Sequence, residues 1–141
     1  MSLPVVNYLA VLVAGIVIFV LGGLWYSLLF AKPWMALMGK TEEELKAGAP
    51  TGGAMAMLYT LAFLCGLVIA WSMAVVINHF PPYTLGRAAA VGLFCWAGFA
   101  APTSFATAIF SYTPKRLWLI NSAYNAVSFV LAALIIVAWR W

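Results

Sequence analysis

Four apolar runs, each long enough to cross a bilayer and free of charge through its middle, constrain this 141-residue chain more than any motif in it. A helix rises 1.5 Å per residue, so roughly 20 apolar residues cross the hydrocarbon layer. The runs fall at about 5–30, 54–77, 85–110 and 117–138. Charged residues make up 7% of the chain and hydrophobic ones 67%, where a soluble domain carries roughly 25% charge. Water is not the main solvent of such a chain. The expected fold is all-α: residues 1–141 form a single four-helix transmembrane domain with one short cytoplasmic surface helix.

The boundaries are read from local signals. Met1, Ser2, Leu3 and Pro4 offer no positive region ahead of the first run, and that run exceeds a signal-peptide core, so it is expected to be a retained span. Pro4 opens it at the first turn, about Val5. Pro33 discourages its continuation, because the residue before a proline leaves the helical region. The only sizeable polar loop, 32–53, contains the capping box Thr41, Glu42, Glu43 and Glu44, which predicts a helix over about 42–47 closed by Gly48 and Pro50. Three consecutive Glu cannot converge on one metal from a helix. Residues 78–83 and 111–116 are short turns, so spans two, three and four are expected to be neighbours in order. Pro102 interrupts span three. Trp118 at one end of span four, and Trp139 and Trp141 at the other, form aromatic collars.

Lys32, Lys40, Lys46, Lys115 and Arg116 lie in the loops after spans one and three, against Arg87 and Arg140 on the opposite side. That asymmetry predicts the first group in the cytoplasm and both termini outside. The net charge of +4 reads as anchoring to anionic headgroups, and no basic face suggests nucleic acid. Cys65 and Cys95 sit deep in apolar runs without CxxC spacing and read as small hydrophobes. Ala62, Gly66, Ala70 and Ala74 recur every fourth residue of span two, a helix-packing face where another backbone can come close.

Around the end of span one, Trp25, Tyr26, Lys32 and Trp34 gather where the apolar run meets its first charge. Such a mixture suits a membrane–water boundary. The pattern Gly22-x-x-Trp25-Tyr26-Ser27-x-Leu29-Phe30-x-Lys32-x-Trp34, with four spans and the acidic capping box, resembles an uncharacterised family of small bacterial four-span membrane proteins, a domain of unknown function. The family places Pro after the Tyr-Ser pair. Here Leu28 stands there, which lets span one run on as helix. The resemblance implies a fold and a bacterial inner-membrane home, and no activity.

No charged residue lies deep inside a span, which counts against proton relays and ion-coupled transport and removes the usual acid–base pairs of catalysis. Lone His79 has no partner histidine for a haem; no cofactor is implied, and bound lipid or pigment stays open. The remaining polarity is Tyr59 and Thr60 on span two, Thr103, Ser104 and Thr107 on span three, and Asn121, Tyr124, Asn125 and Ser128 on span four, flanked by Ser122. Asn121, Asn125 and Ser128 share one helical face. Asn125 is expected to face inward, near Thr103 and Thr107, opposite a lipid face of Val130, Leu134 and Val137. Two readings follow: hydrogen bonds between helices, at around 0.6 kcal/mol each, or a cytoplasm-facing vestibule for a small polar or amphipathic ligand. They correspond to two functions. One is a non-enzymatic accessory subunit packing against itself or a larger membrane complex. The other is a small oligomeric transporter or channel.

Overall fold

A computed structural model describes residues 5–140, which among themselves form helices and no strands. Pro4 and Trp141 lie outside the described residues. Four helices are long and apolar enough to span a membrane, Tyr8–Leu29, Gly53–Ile77, Leu85–Phe110 and Lys115–Ala138. The chain is a multi-pass membrane protein.

Helix α1 (Tyr8–Leu24) starts later than the expected Val5, because Asn7 caps it. The Asn7 side-chain oxygen accepts from the amides of Leu9 at 3.0 Å and Ala10 at 3.3 Å, satisfying two otherwise orphaned donors. At its other end α1 widens into a π turn, Trp25–Leu29, closed by the Phe30 amide on the Trp25 carbonyl at 2.9 Å. The run of helix past Leu28 is therefore real, but wider than α, and it breaks at Phe30. Pro33 does not keep the chain out of helix. It sits in the first turn of α2 (Ala31–Met38), where its missing N–H has no helical partner to lose. Helix α3 (Glu42–Gly48) begins as its capping box predicts, with the Glu44 amide donating to Thr41 Oγ1 at 3.1 Å.

Helix α4 covers Gly53–Ile77. The third span is α5 (Leu85–Cys95), a second π turn (Trp96–Ala100) and α6 (Ala101–Phe110), followed by α7 (Lys115–Ala138). The irregularity expected at Pro102 falls just before it. Proline removes a hydrogen bond and crowds the carbonyl one turn back; the wider turn at 96–100 absorbs both, and Pro102 sits within the first turn of α6.

Helix α7 is the hub, in contact with α1, α4 and α5. Ala14 of α1, Ala70 of α4 and Ala132 of α7 are fully buried, and such small side chains let three backbones approach. Spans two and three, despite their short connection, make few contacts; α5 packs on α7 instead. The order expected from turn length is corrected here. The reason is steric: a Cβ on Gly92 would lie 2.9 Å from the Phe129 carbonyl and 3.2 Å from Ala133 Cβ, so only glycine lets α5 sit this close to α7. The third span has only 6% of its apolar stretch buried, against 28%, 28% and 33% for the other three.

On α4, Gly66, Ala70 and Ala74 are buried, with Gly66 facing the Gly15 carbonyl of α1. Ala62 is exposed and does not share their burial. Towards that end Phe19 meets Phe63 and Tyr59 edge-on, with centroids 6.0 and 6.1 Å apart, and rings of that size hold α1 and α4 apart. The lipid face expected on α7 is also corrected. Leu134 and Val137 pack against the core, Val130 is half-buried, and between Leu117 and Val137 the exposed positions are Leu119, Ala123 and Val127.

Candidate functional site

The end of the bundle that carries α2 and α3 is closed by an aromatic cluster on α7. Trp25 Nε1 donates to the Ile120 carbonyl at 3.1 Å, and the Tyr26 hydroxyl donates to Asn121 Oδ1 at 2.7 Å. Tyr124 donates back across the gap to the Ile18 carbonyl of α1 at 2.9 Å. The rings of Tyr26 and Tyr124 meet at 5.6 Å, Tyr26 and Trp34 at 5.5 Å, and Trp25 and Phe30 at 4.7 Å. Gly22 makes room: a Cβ there would stand 2.9 Å from the Tyr124 hydroxyl. Trp25 is thus buried against protein, and the reading of it as a headgroup anchor is corrected. Lys32 is exposed and Trp34 is half-buried. The Trp25 indole and the Tyr26 and Tyr124 phenols all end on a carbonyl or amide oxygen, and the Trp34 ring packs α2 onto them, which makes the cluster a lock between α1, α2 and α7.

The nine polar residues read from the sequence are not brought together. Tyr59 and Thr60 are exposed on the first turns of α4, with Thr60 Oγ1 donating to its own helix at the Ala56 carbonyl, 2.7 Å away. Thr103 and Thr107 are exposed and donate to Phe99 and Thr103 carbonyls, so neither meets Asn125 as expected. Ser104 donates to the Ala101 carbonyl at 3.1 Å and accepts from Trp118 Nε1 at 3.0 Å, which ties α6 to α7. Asn121 and Tyr124 belong to the lock. Asn125 is half-buried.

The Gly92 contact with Val130 and the Ser104–Trp118 bond fall on one antiparallel register. That register sets the π turn at 96–100 level with residues 122–126. Within this stretch of the seam, Trp96 Nε1 and Ser122 Oγ are buried without a partner among the described residues; Ser128 is buried on the side of α7 that carries Tyr124.

Sequence reasoning missed the polar cluster at the opposite end. Asn78, at the end of α4, donates from Nδ2 to the Val5 carbonyl at 3.3 Å and accepts from the Arg140 guanidinium at Oδ1. Its backbone carbonyl accepts from the Tyr83 hydroxyl at 2.9 Å. The Arg140 guanidinium stacks over the Tyr83 ring, 3.4 Å from its centroid. Asn7 Nδ2 donates to the Trp139 carbonyl at 2.9 Å, joining α1 to α7. Of these residues Asn7, Asn78 and Arg140 line a cavity of about 250 Å³, with Val5, Val6, Ala74 and Ile136 as its other walls. One signal was available, an Asn immediately ahead of an apolar run, which is a capping residue.

No curated protein and no solved structure matches this chain. The family described as Protein of unknown function (DUF1761) matches residues 9–137, nearly the whole four-span body described above, and the chain belongs to that family.

Proposed function

We propose that the protein is a non-enzymatic membrane subunit that assembles with a second copy of itself through its third span, in a bacterial inner membrane, with α2 and α3 on the cytoplasmic side and both termini outside. The third span carries the reading. It is buried least of the four and is held chiefly by α7. Its outward positions mix exposed rings such as Phe94 and Phe99 with small and hydroxyl residues, Ala97, Gly98, Thr103, Ala106 and Thr107, the latter of the kind that let transmembrane helices pack closely. A face of this sort can meet its own copy about a two-fold axis. The side follows from the five Lys and Arg at the α2–α3 end against Arg87 and Arg140 at the other.

The test is a disulfide scan in native membranes, in a Cys65→Ala, Cys95→Ala background. Ala106→Cys is expected to give an oxidised dimer, and Val68→Cys on the exposed side of α4 is expected to stay monomeric. Native mass spectrometry in mild detergent is expected to show two chains. A monomer there, with no Ala106→Cys cross-link, would overturn the reading.

A further inference from the structure

The cavity at the terminal end of the bundle has an unusual donor balance. Asn7 Oδ1 is taken by the amides of Leu9 and Ala10, and Asn78 Oδ1 by Arg140. Each Asn spends one N–H on a carbonyl, Asn7 on Trp139 and Asn78 on Val5. Among the described residues, what the three side chains have left to offer is chiefly donors: one amide N–H each from Asn7 and Asn78 and the remaining N–H groups of the Arg140 guanidinium, against a single lone pair on Asn78 Oδ1. Stacking on Tyr83 fixes the plane of that guanidinium, so its free edge is presented rather than mobile.

Charge points the same way. The only carboxylate side chains in the sequence are Glu42, Glu43 and Glu44, and they begin α3 at the opposite end of the spans. No side-chain carboxylate can reach Arg140. A second cation, Arg87, lies in the first turn of α5 beside Tyr83. The cavity's other walls are apolar, Val5, Val6, Ala74 and Ile136. It opens where the spans end, the level at which a four-span bundle meets headgroups.

We propose that this cavity binds the phosphodiester of an anionic phospholipid. The oxyanion takes the planar edge of Arg140 and the free amide N–H groups of Asn7 and Asn78, and the acyl chains leave along the apolar flank. Free phosphate shares the oxyanion chemistry but gains nothing from Val5, Val6 and Ile136, so a lipid is the occupant.

The experiment titrates the full chain, purified in mild detergent, with short-chain phosphatidylglycerol, phosphatidylcholine and inorganic phosphate in separate arms. Native mass spectrometry counts adducts and thermal unfolding reports protection. One phosphatidylglycerol per chain is expected to bind in preference to phosphatidylcholine. Arg140→Gln is expected to weaken it about tenfold, a charged hydrogen bond's worth, while Arg116→Gln at the far end leaves it unchanged. Arg140→Lys, which keeps the charge but loses the planar fork, is expected to fold and bind at an intermediate level, and it decides the matter should Arg140→Gln not fold. Equal binding by wild type and Arg140→Lys together with Arg140→Gln, or protection by inorganic phosphate but not by the lipid, would overturn the proposal.

Discussion

Tyr26 on the π turn that ends the first span donates to Asn121 on α7 at 2.7 Å, across 95 residues of sequence. Both side chains lie at the level where the apolar part of the first span ends. Tyr26→Phe leaves the Asn121 oxygen without this donor. The expected loss is about 1 kcal/mol, within the range for interhelical hydrogen bonds in membranes. A double-mutant cycle with Asn121→Leu, read by denaturant unfolding in detergent, checks that the coupling belongs to this pair.

Gly22 and Tyr124 form a second pair whose test is epistasis. Gly22→Ala puts a methyl 2.9 Å from the Tyr124 hydroxyl and is expected to dislodge its bond to the Ile18 carbonyl. The cost is expected to be about 1 kcal/mol in the native background. In Tyr124→Phe, which lacks the hydroxyl, the same change is expected to cost less. Equal costs in both backgrounds would show that the two residues do not meet.

Two glycines of the third span are expected to respond with opposite signs. At Gly92 a Cβ has the Phe129 carbonyl at 2.9 Å and the Val130 Cα at 3.1 Å, both backbone atoms of α7 that cannot step aside. Gly92→Ala is expected to destabilise by about 1–3 kcal/mol, the usual scale of overpacking. Within one chain Gly98 has open space around it, so in the monomer, at detergent levels that part the two copies, Gly98→Ala is expected to leave stability unchanged or raised by up to about 1 kcal/mol through helix propensity. Thermal unfolding of the two variants side by side is the measurement.

Orientation is checked by labelling. In a Cys65→Ala, Cys95→Ala background, Lys46→Cys on α3 is expected to be protected from an impermeant maleimide in intact cells. Phe80→Cys, at an exposed position in the turn after α4, is expected to label. The reverse pattern would turn the topology over.

Hydroxyls and longer polar side chains behave differently here, which explains why the expected polar site dispersed. Ser27, Thr60, Thr103, Thr107 and Ser111 all donate to a carbonyl four residues back on their own helix. A short side chain reaches that carbonyl without help, so its presence in a span predicts no neighbour. The amides, phenols and indoles of Asn7, Trp25, Tyr26, Asn78, Trp118 and Tyr124 are too long or too rigid for that, and they cross between helices. Asn121 and Tyr124 were legible as candidates because of their type. Their partner Tyr26 was visible too, but as a headgroup anchor, since an aromatic near a span end suits either role.

Four spans, their ends to within a few residues and the capped helix α3 follow from the sequence by itself, because hydropathy, capping and proline chemistry are local. Which helix sits beside which does not. In a membrane the protein interior and the lipid are both apolar, so a span that is hydrophobic all round carries no stripe marking its inner face. Only tertiary packing made α7 the hub, through close approaches such as Gly92 on Phe129, and parted spans two and three despite their short turn. The same packing gathered Asn7, Asn78, Tyr83 and Arg140 at one end. These four lie at or beyond the ends of three different spans, and only the folded chain puts them within hydrogen-bonding reach.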